Sequence, residues 1–380
     1  QNIARSNPAT PLSAETGGKN AIILTASGDR DHAIMNIVAS AFGNAGQKCS
    51  ACSLLLVERS VYEDKNFQDK LKDAATSMKV GSVWNPGNVV GPMITNKNDK
   101  LLKALELEKG ESWLVPPRFL DKHKYVLAPT VKWGVRPGNY SFRTELFGPM
   151  LSVVCIENLQ QGINWVNSLD YGLTSGLQSL DEGEQKLWKD SIMAGNLYIN
   201  RGITGAIVNR QPFGGMKLSA FGGGVKAGGP NYCACFVKIT DKLGSTTDYT
   251  QSYVKAYEQE FAHARDVNNL YGEQNAFRYL PLKNMVLRLF PGDNNEDAKM
   301  IALAARICHT PLSISFEPGD DRTAALASLG CPLKEEALAG FLKSMKNYER
   351  IRTCGADIPM EMYEEAARID KYIATAKPVK

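Results

Sequence analysis

The chain alternates between short runs of apolar residues and longer stretches in which apolar residues recur every three or four positions. The short runs predict buried strands, whereas the longer stretches predict amphipathic helices. Asp29 or Asp31 can cap the first helix, which carries Ile34, Ile37 and Phe42 at helical spacing. This alternation favours an α/β unit with a mostly parallel sheet and flanking helices. The predicted strands cover 20–25, 53–58, 150–156, 196–200 and 232–240, and the other predicted helices cover 61–78 and 183–194.

A polar segment without periodicity, residues 241–250, divides the chain into two parts. The part beyond it has a β-α-β-α-β order over about 130 residues, which is enough for an independent domain. We therefore predict a first domain over 1–245 and a smaller α/β domain over 246–380. The strands predicted in the second domain cover 285–293, 311–319 and 349–355, and its predicted helices cover 252–272, 296–310, 334–345 and the residues after 359.

Composition and charge narrow the class of protein. Of the 380 residues, 43% are hydrophobic, and the formal net charge is only +4. No block of lysine and arginine indicates a nucleic-acid or membrane-surface partner, and no apolar run reaches the about 18 residues of a membrane span. The first five residues do not resemble a signal peptide. The eight cysteines are therefore expected to be reduced thiols of a cytoplasmic protein.

Cys49 follows the turn Gly43-Asn44-Ala45-Gly46 and precedes a predicted strand. It is a buried structural thiol, one half of a Cys49-x-x-Cys52 metal or redox pair, or a nucleophile. A metal pair lacks a second Cys or His pair at zinc spacing, and a redox pair would open a helix rather than a strand. A nucleophile needs backbone N–H groups near its thiolate, which a glycine-containing turn can bring close. Local chemistry alone favours the buried thiol, and no metal site is expected.

Four motifs together resemble the aldehyde dehydrogenase superfamily. Cys49 follows Glu15 by 34 residues, which fits that family's spacing between its general base and its nucleophile. Over residues 171–232 the chain resembles the branch that oxidises L-glutamate γ-semialdehyde, the 1-pyrroline-5-carboxylate dehydrogenases, in the form found in bifunctional proline utilization A proteins. The four motifs, in chain order, are SAETGGKNAIIL (13–24), AFGNAGQKCSA (41–51), TELFGPMLSVV (144–154) and QPFGGMKLSAFG (211–222).

The resemblance implies a catalytic cycle. Cys49 would attack the aldehyde to give a thiohemiacetal, which passes a hydride to NAD and leaves a thioester. Glu15 would activate the water that hydrolyses this thioester. The resemblance also places Glu145 at the nicotinamide ribose and Phe147 against the nicotinamide ring. Without the resemblance, Glu15 would be interpreted as a solvated surface acid.

The amino-acid head of such a substrate also needs a binding site. By resemblance, the backbone of Gly205 and Ala206 binds the substrate carboxylate, as N–H groups can do without an arginine. The Ser50 hydroxyl assists from beside the nucleophile, and Phe213 packs on the aliphatic part of the substrate. The predicted strand 232–240 corresponds to the family's oligomerisation flap, so the resemblance implies a homo-oligomer.

The family's pattern begins well before the first residue. Most of the NAD domain is therefore expected to lie outside this chain, which is expected to be a fragment with little activity alone. Residues 251–380 resemble a degenerate copy of the family's Rossmann-type half, in which Glu296 and Asp297 would repel a pyrophosphate. We predict a structural role for this second domain. FAD is expected only in a proline dehydrogenase domain upstream.

Two alternatives remain open at this point. A CoA-acylating semialdehyde dehydrogenase lacks a base at the position of Glu15, so this glutamate favours hydrolysis. A non-catalytic assembly module would have a pocket that only the missing half completes. Labelling of Cys49 by an aldehyde-mimicking inhibitor would report a competent site and separate these possibilities.

Overall fold

Contacts within the chain group it into two compact units. The central unit comprises Glu15–Ile207 and Phe213–Ala220, and the C-terminal unit comprises Gln1–Ala14, Val208–Pro212 and Phe221–Lys380. The domain boundary predicted at 245/246 lies outside the described residues. The computed structural model describes residues 3, 6–8, 10, 12–237, 239–240, 248–355 and 357–379.

A seven-stranded sheet forms the middle of the central unit. The strands up to residue 221 are β1 (Ala14–Glu15), β2 (Asn20–Leu24), β3 (Cys52–Glu58), β4 (Ser112–Val115), β5 (Thr130–Trp133), β6 (Met150–Ile156), β7 (Tyr171–Gly172), β8 (Thr174–Gln178), β9 (Asn196–Ile199), β10 (Met216–Lys217) and β11 (Ala220–Phe221). The order in the large sheet is β4-β5-β6-β3-β2-β8-β9. Every neighbouring pair is parallel except β4 with β5, which confirms the mostly parallel sheet.

The strand β2 shows why these residues form a central strand. Ile22 and Leu24 belong to the core on one face of the sheet, and Ala21 and Ile23 belong to the core on the other face. All five residues of the strand are buried. Burial on both faces is typical of parallel strands that lie between two layers of helices, and it explains the continuous apolar run in the sequence.

Helices connect these strands. The first helix, α1 (Arg30–Phe42), begins where the sequence predicts, and the Asp29 side chain caps it by accepting a hydrogen bond of 2.9 Å from the backbone N–H of His32. The prediction of one helix over 61–78 is wrong, because Asp64 caps a separate helix by accepting from the N–H of Asn66. The helices of this unit are α1 (Arg30–Phe42), α2 (Arg59–Tyr62), α3 (Lys65–Thr76), α4 (Asp99–Ala104), α5 (Tyr140–Arg143), α6 (Leu159–Asn167) and α7 (Glu182–Ser191).

The apolar pattern does not predict β4, β5 or β8. All five residues of β8, Thr-Ser-Gly-Leu-Gln, are buried although most of them are not large and apolar. Their polar groups are satisfied inside the protein: Ser175 Oγ donates to the Ala21 carbonyl at 3.4 Å, and Gln178 Nε2 donates to the Arg201 carbonyl at 3.2 Å. Hydrogen bonding therefore permits a central strand that leaves no apolar run in the sequence.

The strand predicted over 232–240 is wrong. Tyr232–Phe236 form a 3-10 helix, and none of its residues is buried. Residue 238 lies outside the described residues. Alternating apolar residues form a stable strand only when they pair with a neighbour and cover a core. Among the described residues, no strand pairs with this segment.

A five-stranded parallel sheet forms the core of the C-terminal unit. Its strands are β12 (Met285–Arg288), β13 (Leu312–Phe316), β14 (Leu333–Glu335), β15 (Arg350–Arg352) and β16 (Ile373–Ala374). The order β14-β13-β12-β15-β16 is 3-2-1-4-5 when counted within the unit, as in dinucleotide-binding α/β folds. The predicted Rossmann-like architecture is thus confirmed. The helices here are α8 (Tyr249–Ala256), α9 (Asn295–Ile307), α10 (Thr323–Ala327), α11 (Leu338–Ser344) and α12 (Met360–Arg368).

Two predicted helices of this unit differ from the structure. The helix predicted over 252–272 ends after a π-helical turn at Tyr257–Phe261. Beyond it, the Asp266 carboxylate accepts hydrogen bonds from the backbone N–H groups of Asn268, Asn269 and Asn275, a local alternative to helix formation. The start of the helix predicted over 334–345 is instead β14. No helix in the described part of the chain has the length and apolar character needed to cross a bilayer.

Candidate active site

Cys49 lies in a loop between α1 and β3 whose backbone is unusual. Asn44, Ala45 and Gly46 have φ angles of 57°, 54° and 63°, so three successive residues adopt the left-handed conformation. A Cβ on Gly46 would lie 2.3 Å from the carbonyl oxygen of Gly148. Glycine is therefore required here, both by the left-handed φ and by close approach. This approach brings the cysteine loop against the loop that carries Glu145 and Phe147.

The Cys49 thiol is half-buried, and its environment opposes ionisation. Burial raises its pKa above the usual value, the negative charges of Glu145 and Glu15 raise it further, and the backbone N–H groups of Ser50 and of Cys49 itself lower it. The two carboxylates and the thiol that the sequence predicts as one site are thus within electrostatic reach of one another. At neutral pH the cysteine is mainly a thiol, which must lose its proton before it can react as a nucleophile.

Glu145 is held by the glycine pair that follows Glu15. The backbone N–H of Gly18 donates a hydrogen bond of 2.9 Å to Glu145 Oε1. Phe147, two residues further on, has a φ of +49° and leaves 40% of its surface exposed. A non-glycine residue in this conformation is uncommon and is often a feature of functional sites. A hydrogen-bonded carboxylate and an exposed ring therefore lie in the same loop.

Glu15 lies at the end of β1 and is exposed. The backbone N–H of Gly215 donates a hydrogen bond of 3.0 Å to Glu15 Oε2. The contact ties Glu15 to the loop after β9, the segment that also contains Phe213. The structure therefore ties Glu15 to this loop, with its charge within electrostatic reach of the Cys49 thiol.

The predicted substrate residues occupy two places. Ser50 is buried beside Cys49, and the Thr174 hydroxyl donates to its carbonyl oxygen at 3.3 Å. Gly205 and Ala206 lie in the loop after β9, whose start is fixed by a hydrogen bond of 3.0 Å from the Ile203 N–H to Ser40 Oγ. Gly205 has a φ of +92°, and a Cβ placed on it would meet no atom within 4 Å. Phe213 is half-buried further along this loop. Their roles as substrate contacts remain predictions.

Cys52 does not share the environment of Cys49. Its thiol is fully buried at the start of β3, and burial raises its pKa to about 12. All eight cysteines, each among the described residues, are free thiols. Within the described part of the chain, no group of three or more His, Cys, Asp or Glu side chains is placed to hold a metal ion.

Two buried polar residues next to the site are not indicated by sequence patterns. Lys19 is only 3% exposed, and burial lowers its pKa from 10.5 to about 7. Asn20 is 1% exposed, and its side-chain amide donates hydrogen bonds to the carbonyl oxygens of Cys49 and Ala51. Both residues lie in the GGKN segment quoted above, but only tertiary contacts distinguish them from exposed polar residues.

The fold and this cluster define a member of a known family. A model of the aldehyde dehydrogenase family matches residues 1–241, and the chain belongs to this family. Among curated relatives, the 1-pyrroline-5-carboxylate dehydrogenase of Bacillus subtilis (strain 168) is 35% identical over 221 residues, which are 58% of this chain and 42% of the relative.

One solved structure extends the comparison to nearly the whole chain. Proline Utilization A (PutA) from Corynebacterium freiburgense is 36% identical with a TM-score of 0.80, over 98% of this chain and 38% of that chain. The structure of 1-pyrroline-5-carboxylate dehydrogenase from Thermus with bound NAD is 35% identical with a TM-score of 0.55, over 60% of this chain and 43% of that chain. The chain thus spans less than half the length of these relatives.

Proposed function

We propose that this chain is the cysteine-bearing part of a cytoplasmic, NAD-dependent dehydrogenase that oxidises L-glutamate γ-semialdehyde, formed from 1-pyrroline-5-carboxylate, to L-glutamate. The observation that carries the proposal is that Gly18 lies against both the Glu145 carboxylate and the Cys49 carbonyl, with the Glu15 and Glu145 charges within electrostatic reach of the Cys49 thiol. A hydrolytic aldehyde dehydrogenase needs a nucleophile, a base for water and an acceptor for a cofactor hydroxyl, and these three side chains supply them. The names of the relatives support the choice of substrate.

Cys49 Sγ, once deprotonated, attacks the aldehyde carbon and forms a thiohemiacetal. The backbone N–H of Cys49 is one donor available to the oxyanion that develops. The chemistry that bound NAD would supply is acceptance of a hydride from this adduct, which would leave a thioester on Cys49. Glu15 then takes a proton from water, the hydroxide attacks the thioester carbon, and L-glutamate leaves as Cys49 regains its thiolate.

The residues present fit a nicotinamide cofactor. Gly18 holds one oxygen of the Glu145 carboxylate, which leaves the group oriented to accept from a ribose hydroxyl. The exposed ring of Phe147 offers an apolar surface for the nicotinamide. These two residues would hold the reactive end of the cofactor beside Cys49.

The substrate's amino-acid head is assigned to the loop after β9. Gly205 and Ala206 would bind its carboxylate through backbone N–H groups, and the open space beside Gly205 supports this assignment. The Ser50 hydroxyl would assist from beside the nucleophile. Phe213 would cover the aliphatic part of the substrate.

We assign a structural role to the C-terminal domain, placed over 246–380. In dinucleotide-binding folds, an acidic residue at the end of the second strand accepts the ribose hydroxyls. Glu317, which follows β13, is instead paired with the buried guanidinium of Arg288. The unit's own arginine thus occupies the acceptor that a dinucleotide would need. A homo-oligomer and a catalytic domain over 1–245 complete the proposal.

Protection of Cys49 by substrate tests this function. The 380-residue chain is incubated with L-glutamate γ-semialdehyde, alkylated with iodoacetamide, and the labelled Cys49 peptide is quantified by mass spectrometry. We expect the semialdehyde to protect Cys49 at concentrations where acetaldehyde, which lacks the amino-acid head, does not. Equal protection by both aldehydes would contradict the assigned substrate, and no protection by either would contradict a competent site.

Activity of the chain alone is a separate measurement. Since it spans less than half of its relatives, we expect little NADH formation from the semialdehyde and NAD. By resemblance, the family's second oxyanion donor belongs to the NAD domain, and loss of one such donor lowers the rate by about 10²–10³. Robust NADH formation would contradict this part of the proposal without affecting the assignment of Cys49.

A further inference from the structure

The side chain of Asn20 forms hydrogen bonds with the cysteine loop and with β8. Asn20 Nδ2 donates to the carbonyl oxygen of Cys49 at 2.7 Å and to that of Ala51 at 3.0 Å. Its Oδ1 accepts from the backbone N–H of Thr174 at 3.0 Å. The residue is 1% exposed, so water does not replace these partners. Both amide protons are therefore committed to the two carbonyl groups that flank Ser50.

The hydrogen bond from Asn20 to the Cys49 carbonyl oxygen orients a whole peptide group, because that group is planar. The carbonyl of Cys49 and the N–H of Ser50 belong to one peptide unit and point in opposite directions. When Asn20 holds the carbonyl oxygen, the direction of the Ser50 N–H is also set. That N–H is one of the two backbone donors that act on the Cys49 sulfur.

Other contacts hold the neighbouring peptide groups of this loop. The N–H of Ala51 donates to the Lys48 carbonyl at 2.9 Å, and the Thr174 hydroxyl donates to the Ser50 carbonyl. These bonds keep the loop folded without fixing the peptide unit between Cys49 and Ser50. The contact from Asn20 acts on that unit directly.

We propose that Asn20 is a positioning residue for the nucleophile: its buried amide fixes the peptide plane between Cys49 and Ser50 so that the Ser50 N–H faces the Cys49 sulfur. The inference deepens the proposed function and rests on Cys49 being the reacting group. Asn20 acts through the backbone of the cysteine loop and is assigned no contact with substrate or cofactor. The other groups that set the thiol's ionisation, the Glu145 and Glu15 carboxylates, accept hydrogen bonds from the N–H groups of Gly18 and Gly215 rather than from Asn20.

The pH dependence of Cys49 alkylation tests this role without aldehyde or NAD, so its outcome does not depend on the proposed activity. In Asn20→Ala, the freed peptide unit no longer keeps its N–H on the sulfur. We expect the midpoint of the iodoacetamide rate profile, followed on the Cys49 peptide by mass spectrometry, to rise by about one pH unit. The thiolate fraction at neutral pH then falls about tenfold. The more basic thiolate is about threefold more nucleophilic, so the net rate falls about threefold.

Asn167→Ala is the matched control. Asn167 also bridges two backbone groups, donating to the Ser191 carbonyl at 2.9 Å and accepting from the Met193 N–H at 2.7 Å. We expect a similar loss of stability in this variant with an unchanged alkylation midpoint. A shift of equal size in both variants would show general loosening of the unit and would overturn the proposal.

Asn20→Leu is the second variant. Leucine has a similar shape, adds no charge and lacks both donors, so we expect its midpoint to rise as well. An unshifted midpoint in either folded variant overturns the proposal. If neither variant folds while Asn167→Ala does, Asn20 is a structural residue, and the positioning role is likewise overturned.

Discussion

Gly17 and Gly18 stand directly against the Glu145 carboxylate. The N–H of Gly18 donates to Glu145 Oε1 at 2.9 Å, and a Cβ on Gly17 would lie 2.1 Å from Glu145 Oε2. The absence of side chains at these two positions lets the carboxylate lie against the backbone just before β2. The same segment continues into Asn20, which holds the cysteine loop. Gly17, Gly18 and Asn20 thus position both the carboxylate assigned to the cofactor and the nucleophile.

The two glycines are predicted to respond differently to alanine. In Gly17→Ala the new methyl group meets the end of the flexible Glu145 side chain, which can rotate away, so the free energy of unfolding should change by less than about 1 kcal/mol. In Gly18→Ala it meets the Cys49 carbonyl oxygen at 2.8 Å. A backbone atom in a packed loop cannot yield as easily, so we expect a loss of about 1–3 kcal/mol. Urea unfolding measures both.

Gly43→Ala is the control for the pair, because an added Cβ there meets no atom within 4 Å. Its φ of −52° suits alanine, so its stability should be unchanged or slightly higher. Equal losses in Gly17→Ala and Gly18→Ala would contradict the distinction between a movable and a fixed neighbour.

The ionisation of Cys49 should respond to the two carboxylates. Their negative charges raise the pKa of this thiol. Glu145→Gln and Glu15→Gln each remove one charge with little change of shape, so each should lower the thiol's pKa and move the iodoacetamide profile to lower pH. Fragment-ion mass spectrometry assigns the label to Cys49 rather than to Cys52, which lies in the same tryptic peptide.

Two cysteines serve as internal references in that experiment. Cys233 is exposed and reports the reactivity of the reagent, whereas Cys52 is fully buried with a pKa of about 12 and should stay unlabelled. An upward or absent shift at Cys49 in both glutamine variants would show that the carboxylates do not act on it.

The sequence predicts those parts of the fold that depend on local pattern. The strands β2 and β3 are apolar on both faces, and the Asp29 cap is a local interaction, so both follow from the order of residues. The strand β8 does not, because Ser175 and Gln178 are buried only with hydrogen-bond partners from other elements. The strand prediction over 232–240 is wrong for the opposite reason: the pattern alternates, but the segment pairs with no strand among the described residues.

The residues of the candidate site likewise include some that the sequence predicts and one that it misses. Cys49, Glu15 and Glu145 are chemical groups in motifs that resemble a family, and the structure brings them into one electrostatic environment. Asn20 is missed because its role depends on the carbonyl of a residue that lies 29 positions further along the chain. No spacing rule relates a side-chain amide to a backbone oxygen at such a distance. Only the pairing of β2 with β3 brings the two together.

The buried Arg288 is predicted to stabilise the C-terminal unit through geometry as well as charge. Its guanidinium donates to Ser315 Oγ at 2.8 Å and to the Glu336 carbonyl at 2.9 Å, and it pairs with Glu317. In Arg288→Lys, a single ammonium cannot reach all three groups. We expect a loss of about 2–4 kcal/mol. All five tryptophans lie in the central unit, so unfolding of the C-terminal unit should appear in circular dichroism rather than in tryptophan fluorescence.

Arg368→Lys provides the comparison within the same unit. Arg368 forms an exposed ion pair with Glu365 one helical turn away, and such pairs contribute about 0–1 kcal/mol. Its unfolding curve should therefore stay close to that of the unmodified chain. If the unfolding curve of Arg288→Lys is equally unchanged, the network around Arg288 does not stabilise the unit.

Lys19 is predicted to make stability depend on pH. Burial lowers its pKa from 10.5 to about 7. Between these values the unfolded chain binds a proton that the folded chain does not, so the free energy of unfolding rises with pH in this range. Below about pH 7 the full cost of burying the charge remains. Lys19→Met removes this cost, so the variant should be more stable than the unmodified chain at pH 7 by a few kcal/mol, with the difference shrinking toward pH 10.

Lys132→Met is the contrasting variant, because Lys132 is equally buried but has a charged partner. Its Nζ lies 2.8 Å from Glu111 Oε2 and 2.6 Å from the Glu106 carbonyl oxygen. The methionine would leave the Glu111 carboxylate buried without its counter-charge, which costs about 3–5 kcal/mol. Urea unfolding at several pH values should therefore show opposite changes for two similar substitutions. A loss of stability in Lys19→Met with an unchanged pH slope would mean that Lys19 keeps its proton in the folded protein.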